Sequence, residues 1–263
     1  MRWRDLARLG PLLSLLALPL RGQPEPGRLS LMVQPQQMIV VLTKDWQAVD
    51  GQLQRFEYGA PSWQAVGEPI QVVVGRNGMG WGRGLHPLPQ PGPQKKEGDG
   101  KSPAGVFALR YTFGYEPPEK MAGLKMPYLH CTRALECVDD PKSAHYNEIL
   151  ERPTNGTADW HSSEKMLMTN NQYRLGIVIQ HNTTPTEAGA GSCVFMHIWL
   201  GPGIGTSGCT AMKEGDIETL VGWLDARSHP ALVQLPEAEY RRLQKAWHLP
   251  EWPSPAPAPG DAK

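Results

Sequence analysis

The stretch FMHIWLGPGIGTSGCTAM, residues 195–212, joins an apolar strand to a loop that is rich in glycine. Alternation along the strand turns the side chains of Phe195 and His197 to the same side. The glycines that follow allow the backbone to turn sharply and to approach another group closely; they stand at positions 201, 203, 205 and 208. If the loop folds back, the thiol of Cys209 comes near the imidazole of His197.

A thiol and an imidazole brought together in this way suit nucleophilic catalysis. We expect a helix to follow Cys209 closely, so that helix amides favour the thiolate, and an imidazole can deprotonate a thiol or pair with the thiolate. The backbone amides of Ser207, Gly208 and Cys209 would hold a developing oxyanion. The spacing alone leaves an alternative open, because a histidine and a cysteine in adjacent strands are more often core residues or disulfide partners.

The composition indicates a folded, β-rich chain. Of its 263 residues, 40% are hydrophobic and 20% are charged, so the chain can bury a large core. The 26 basic residues balance 26 acidic ones, which argues against nucleic acid as a partner, since that binding needs a basic surface. The 28 glycines and 26 prolines favour strands joined by turns over a helical bundle.

The N-terminus has the pattern of a secretory signal peptide. Arg2, Arg4 and Arg8 precede an apolar run over residues 9–20, and small or turn-forming residues follow. A transmembrane helix needs about 20 apolar residues, so this run is too short to span a membrane. We therefore expect residues 1–22 to be a signal peptide, and the mature protein to be exported without a membrane segment.

The four cysteines raise the question of disulfide pairing. In an oxidising compartment we expect Cys131 and Cys137 to close a small disulfide loop. Cys193 lies in an apolar strand and is expected to be a small buried hydrophobic residue, which leaves Cys209 without a partner. A zinc site built from the cysteines and His130 is a weaker alternative because their spacing lacks paired C-x-x-C motifs. We expect neither a metal nor a cofactor.

Hydrophobic patterns place the secondary structure. Apolar segments typical of strands begin at Met38, Gln52, Pro69, Gly105, Arg174 and Cys193. The turn-rich DWQAVDG suits a hairpin between the first two, whereas residues 75–94 are so rich in glycine and proline that they predict a long loop. From Glu214 the pattern changes to helical spacing, at Ile217, Leu220, Val221 and Leu224, and predicts a short amphipathic helix; a second helix is predicted over residues 236–247. We expect one domain over residues 30–248 and a disordered Pro/Ala-rich tail over residues 249–263.

The segment from His197 through TSGC resembles the signature of the L,D-transpeptidase catalytic domain, the YkuD family, in which a histidine and a glycine-bearing loop precede Ser/Thr-x-Gly-Cys. The stretch EGDGKSPAGVF, residues 97–107, resembles the Thr/Ser-Pro-x-Gly-x-Phe element of the family, and GRNGMGWG and FGY resemble one branch of it. The resemblance covers roughly residues 38–233. It implies a mainly β catalytic domain with a sandwich or barrel-like body and a few peripheral helices.

The resemblance also implies an activity. Family members act on peptidoglycan stem peptides, so Cys209 would be the nucleophile that attacks the amide before the terminal D-alanine, and His197 the general base. An amine from a second stem peptide would complete an L,D-transpeptidation, whereas water would make the protein an L,D-carboxypeptidase. A third possibility is a non-catalytic cell-wall-binding protein. We expect a monomer in the periplasm or cell envelope.

The sequence departs from the family pattern after the cysteine. Many members carry Cys-x-Arg, but Ala211 stands where that arginine would be, so Arg76 or Arg83 would have to meet a substrate carboxylate. The loop between the histidine and the cysteine is also shorter than in common members, which indicates a divergent branch.

Further residues are candidate substrate contacts, namely Arg76, Tyr115, Trp160, His181 and Asn182. His181 and Asn182 end a strand that we expect beside His197, where they form a turn or orient the imidazole. The long insertion before this strand contributes groove candidates, although paired aspartates are more often surface turns; the candidates are Asp139, Asp140, Tyr146, Asn147, Trp160 and Glu164.

Overall fold

The computed structural model of the chain describes residue 29 and residues 33–253. The predicted signal peptide, residues 1–22, lies outside the described residues. The strands are β1 (Gln37–Thr43), β2 (Asp50–Gly59), β3 (Ser62–Val73), β4 (Met79–Trp81), β5 (Ser102–Gly114), β6 (Tyr128–His130), β7 (Leu135–Val138), β8 (Ile149–Glu151), β9 (Ser163–Lys165), β10 (Leu175–Ile179), β11 (Phe195–Ile198), β12 (Thr210–Met212) and β13 (Ala231–Pro236). The helices are α1 (Glu214–Trp223) and α2 (Glu237–Leu243), with short 3₁₀ turns at Pro118–Met121 and Ala226–Ser228.

The large sheet closes on itself. Its hydrogen-bonded order is β10-β11-β12-β3-β2-β1-β13-β5, and β10 also pairs with β5. A sheet whose first and last strands pair in this way forms a barrel, which leaves no unpaired edge within the ring. Short strands β4 and β6 attach to β5. The prediction of a mainly β chain with peripheral helices is confirmed.

Strands β1 and β13 are a pair that is buried along its whole length. They run parallel with Val40 opposite Val233, and every residue in both strands is buried. A strand covered on both faces has a nearly continuous apolar sequence, as MIVVLT does in β1. The prediction missed β13, since a run as short as ALVQLP does not distinguish a buried strand from part of a helix.

The hairpin predicted between the first two strands is confirmed, because β1 and β2 are antiparallel neighbours. The prediction of a loop without regular structure over residues 75–94 was wrong in part. Strand β4 lies within it and pairs in parallel with the start of β5, and Trp81 is buried. This tight course requires glycine at position 78, where φ is +74° and a Cβ would lie 2.0 Å from the Trp46 carbonyl oxygen.

Helix α1 packs against β10 and β11, and helix α2 packs against β13 and β1. In α1 the residues Ile217, Leu220 and Val221 are buried, which confirms the predicted amphipathic spacing. Helix α2 is shorter than the predicted 236–247, because Pro236 still belongs to β13 and the α-helix ends at Leu243.

The prediction of a disordered tail from residue 249 was wrong for its first residues. Leu249 is buried, and the carbonyl of Pro250 accepts hydrogen bonds from the Tyr240 hydroxyl at 2.6 Å and from the Gln244 side chain at 2.8 Å. Residues 254–263 lie outside the described residues. Among the described residues, no helix is both long and apolar enough to cross a membrane.

A small sheet of order β8-β7-β9 packs beside the barrel and carries the disulfide. Cys137 of β7 bonds to Cys193, which lies two residues before the start of β11. The predicted Cys131–Cys137 bridge was therefore wrong, and so was the role of Cys193 as an unbonded hydrophobic residue. Sequence proximity misled the prediction, because the chain folds back over 56 residues to bring the two bonded cysteines together. Cys131 and Cys209 are free and buried.

The disulfide should contribute measurably to stability. Closing a loop of 56 residues lowers the entropy of the unfolded chain and is worth up to about 4 kcal/mol. We expect the double substitution Cys137→Ala/Cys193→Ala to lower the free energy of unfolding, measured by urea titration, by an amount of this order. The control is Cys131→Ala, which removes a buried sulfur but no bridge. Equal losses in the two proteins would show that the bridge adds nothing.

Candidate functional site

Strand pairing places the predicted histidine and cysteine side by side. Strands β11 and β12 run parallel, with Met196 opposite Thr210 and His197 opposite Ala211. Cys209 directly precedes β12, and its neighbour across the ladder is Phe195, on the same face of β11 as His197. The side chains of Cys209 and Phe195 share one buried cluster. The predicted strand and the segment that begins at the cysteine thus form two adjacent strands, β11 and β12, and the glycine loop connects them.

The element after Cys209 is a strand, and α1 begins only at Glu214. The expected stabilisation of a thiolate by helix amides was therefore wrong. Cys209 is buried, with 7% of the residue exposed. Burial, followed by the negative charge of Glu164, raises the pKa of Cys209 to about 12. At neutral pH the thiol is protonated in the resting protein.

Two backbone groups contact the Cys209 sulfur. The amide of Phe195 donates a hydrogen bond to Sγ at 3.3 Å. The thiol in turn points to the carbonyl oxygen of Cys193, at 3.8 Å. Since Cys193 is bonded to Cys137, its own sulfur is not available to pair with Cys209. The nucleophile candidate is thus held in place as a free thiol.

The ring of His197 is neutral and fixed by the backbone. Only 3% of the residue is exposed, and burial lowers the pKa of His197 to about 4. Its Nδ1 lies 2.8 Å from the carbonyl oxygen of Ile198, and a carbonyl can only accept, so Nδ1 carries the proton and Nε2 keeps a free lone pair. Among the residues that the structure describes, the His197 ring and the Cys209 thiol are not hydrogen-bonded to each other.

Tyr173 supplies the contact that the sequence did not reveal. Its ring packs edge-on against His197, with centroids 5.2 Å apart, and its hydroxyl donates a hydrogen bond to Glu164. The same hydroxyl lies close enough to the Cys209 sulfur for each group to change the pKa of the other. Tyr173 lies shortly before β10 and belongs to no motif that is recognisable in the sequence. Only the pairing of β10 with β11 shows that it lies beside His197.

The glycine loop is held against two neighbouring segments. The Thr206 hydroxyl donates a hydrogen bond to the Cys209 carbonyl at 2.6 Å and accepts one from the Gly208 amide at 3.1 Å. Of the amides predicted to form an oxyanion hole, that of Gly208 is therefore already bonded. Ser102, from the Ser-Pro-x-Gly-x-Phe element, also donates to the Cys209 carbonyl, at 2.9 Å. That element therefore supports the backbone of the cysteine.

Arg76 reaches the same loop. One nitrogen of its guanidinium donates to the Ser207 hydroxyl at 3.0 Å. The backbones are so close that a Cβ at position 205 would lie 2.6 Å from the Arg76 Cα, which explains the glycine there. Arg83, the other candidate for a substrate carboxylate, instead pairs with Glu187 at 2.7 Å. The structure thus brings Arg76, and not Arg83, beside the predicted oxyanion loop.

The remaining predicted substrate residues make contacts with the protein itself. Tyr115 donates to the Asn170 carbonyl at 3.0 Å, and the buried Trp160 donates to Glu136 at 3.1 Å. His181 accepts from the Arg83 amide at 3.2 Å and lies 3.0 Å from the Ala190 carbonyl, so both of its ring nitrogens are engaged. The side-chain amide of Asn182 donates to the carbonyls of Glu187 and Gly191.

The hydrogen bonds of His181 and Asn182 hold the segment that precedes β11, and none of them reaches the His197 ring. A cavity of about 560 Å³ has Asn182, Leu88 and Arg110 among its lining residues. Neither His197 nor Cys209 lines it. Among the described residues, no group of three or more potential ligand side chains is arranged to hold a metal ion.

Burial of neutral histidines makes folding sensitive to acid. Burial lowers the pKa of His86 and His197 to about 4 and that of His181 to about 3, so in weak acid only the unfolded chain binds these protons. Each such histidine costs about 1.4 kcal/mol of stability for every pH unit below its unfolded value of about 6.5. We expect the urea midpoint to fall between pH 6.5 and pH 4, and His181→Asn to flatten this dependence.

His229→Asn is the matched control for that measurement, since His229 is exposed and, among the described residues, its side chain makes no hydrogen bond or ion pair. It should leave the dependence on pH unchanged. An unaltered slope in His181→Asn would contradict the neutral, buried state of the ring.

Comparison with known proteins adds no assignment. No protein-family model matches the chain, and neither a curated protein nor a solved structure shows significant similarity to it. The resemblance to the L,D-transpeptidase family therefore remains a prediction from the motif residues.

Proposed function

We propose that the protein is a cysteine acyltransferase, an L,D-transpeptidase, that acts on peptidoglycan stem peptides through a thioester on Cys209. The observation that carries the proposal is the free thiol of Cys209 at the junction of a glycine loop and β12, on the strand adjacent to His197. The order of the Ser-Pro-x-Gly-x-Phe and His…Thr-Ser-Gly-Cys motifs supports it, together with the hydrogen bond from Ser102 to the Cys209 carbonyl.

The proposed reaction begins with attack of the Cys209 sulfur on the carbonyl before the terminal D-alanine. The thiol proton passes to a base and then to the departing amine, and a thioester remains. By resemblance His197 is that base, and its unprotonated Nε2 has the capacity to accept a proton. The Ser207 amide, beside Arg76, would stabilise the oxyanion. A second stem peptide resolves the thioester in transpeptidation, and water does so in an L,D-carboxypeptidase.

We further propose that the protein works in the periplasm or cell envelope. The pattern of residues 1–22 supports export. The Cys137–Cys193 disulfide fits an oxidising compartment, since such bonds are rare in the cytosol.

A second candidate function is cell-wall binding without turnover. Two observations favour it: burial raises the pKa of the Cys209 thiol to about 12, and Ala211 replaces the arginine that many family members carry. A protonated, enclosed thiol is a poor nucleophile. In this function the barrel would bind a stem peptide and leave it intact.

Release of D-alanine tests the catalytic proposal. We expect the protein without residues 1–22 to release D-alanine from a stem tetrapeptide, and Cys209→Ala to abolish release because the thioester cannot form. Cys131→Ala is the matched control, since Cys131 is also a free, buried thiol. Mass spectrometry of the products separates cross-linked from trimmed peptides. Undiminished turnover in Cys209→Ala would refute the proposal.

Alkylation by iodoacetamide distinguishes catalysis from simple binding. Burial raises the pKa of both Cys131 and Cys209 to about 12, so without further activation the two thiols should react at similarly slow rates that rise with pH. If Cys209 is a nucleophile served by His197, it should react on the order of 10 times faster than Cys131, and His197→Ala should remove that advantage. Peptide mapping measures both rates, and equal labelling would favour the binding function.

A further inference from the structure

The cavity of about 560 Å³ plays no part in the proposed chemistry, because the side chains of the thiol site do not line it. Its lining residues come mainly from four segments, residues 83–88, 108–110, 180–185 and 226–231. Pockets that bind small organic molecules have volumes of roughly 300–1,000 Å³ and are mostly apolar, with a few polar groups that orient the ligand. The cavity has this size, and its lining decides which class of molecule fits.

Backbone hydrogen bonds tie the walls of the cavity together. An amide in one wall donates to a carbonyl in the next, from Asn182 to Arg83 at 2.8 Å, from Gln180 to Ala108 at 3.1 Å and from Leu109 to Pro230 at 2.9 Å. Residues 108–110 belong to β5, a strand of the closed barrel. Because the walls are already held in place, a ligand does not have to order them, and that lowers the cost of binding.

The fixed charges in the lining are positive. Among the described residues, Arg83 and Arg110 line the cavity, and no acidic side chain does. Arg83 pairs at 2.7 Å with Glu187, which lies outside the lining, and its Nε is buried without a hydrogen-bond partner. Arg110 is exposed and forms no hydrogen bond or ion pair within the part of the chain that the structure describes. With Glu187 set against Arg83, one positive charge in the lining has no counterion.

Most of the remaining lining is hydrocarbon. Leu85, Leu109 and Pro230 contribute to the walls, and two further lining residues, Val33 and Leu88, are 54% and 41% exposed. A molecule that covers these side chains removes apolar surface from water, which favours binding. The cavity therefore combines an apolar wall with one uncompensated cation.

We propose that the cavity binds a small organic monoanion, a carboxylate attached to a hydrocarbon body. The fork of the Arg110 guanidinium matches a planar carboxylate, and the hydrocarbon body covers Leu85 and Leu88. One uncompensated charge suits a carboxylate better than a phosphate monoester, which carries about −1.5 to −2 charges at neutral pH. A fatty acid and the C-terminal end of an apolar peptide share this chemistry. The inference adds a binding site to the proposed function and does not depend on catalysis by Cys209.

The test is isothermal titration of the protein without residues 1–22 with decanoate, below its micelle concentration. We expect one molecule of decanoate to bind per chain, and Cys209→Ala to bind it with the same affinity. Arg110→Met removes the cation and keeps the length of the side chain, so it should raise the Kd on the order of 10-fold, the usual effect of losing a charged hydrogen bond. Leu88→Ser should also weaken binding, and it tests the apolar wall without touching the arginines.

The matched control is Arg133→Met, because Arg133 is also exposed and forms no hydrogen bond or ion pair among the described residues, but does not line the cavity. Its affinity for decanoate should equal that of the wild type. Acetyl-leucyl-leucine and its C-terminal amide distinguish the two sources: binding of the free acid alone supports a peptide end, and binding of decanoate alone supports a fatty acid. Binding of decylammonium as tight as that of decanoate, an unchanged Kd in Arg110→Met, or no binding of either carboxylate would overturn the proposal. None of these results bears on release of D-alanine, so the proposed function stands or fails separately.

Discussion

The parallel pairing of β11 with β12 is the constraint on which the site depends. It fixes Cys209 beside Phe195, with which it shares a buried cluster, and sets His197, from the other end of the glycine loop, one step further along the same face. A parallel pair cannot be joined by a tight hairpin, and the glycine loop provides the required crossover. Strand β11 is hydrogen-bonded to β12 on one side and to β10 on the other, and β10 closes the barrel by pairing with β5.

Burial has opposite consequences for the two parts of the site. It keeps the imidazole of His197 neutral with one free lone pair, which suits a base, and it keeps the thiol of Cys209 protonated, which does not suit a nucleophile. Catalysis at such a thiol requires a route by which its proton leaves.

The sequence predicted the features that arise from local patterns. Apolar segments typical of strands located β1, β2 and β11, and helical spacing located α1. It did not predict β13, because the six residues ALVQLP are too few to show a distinctive period, although this strand is part of the core of the barrel.

Contacts between distant segments were the other limit. The Cys137–Cys193 bridge and the position of Tyr173 depend on which strands pair, and no local spacing encodes that pairing. The motif around Cys209 could indicate a thiol, an imidazole and a flexible loop. It could not indicate how strongly a closed barrel would bury the thiol, and that burial reversed the expected change in its pKa.

The disulfide also has a mechanical consequence. Cys137 lies opposite Glu164 on β9, and its bonded partner Cys193 presents the carbonyl that the Cys209 thiol faces. One covalent bond thus joins β7, the central strand of the small sheet, to the segment that forms a wall of the thiol site. Thermal motion that loosens other contacts between the small sheet and the barrel cannot separate these two segments. The distance between the small sheet and the thiol site is therefore limited by bonded geometry even when the surrounding loops open.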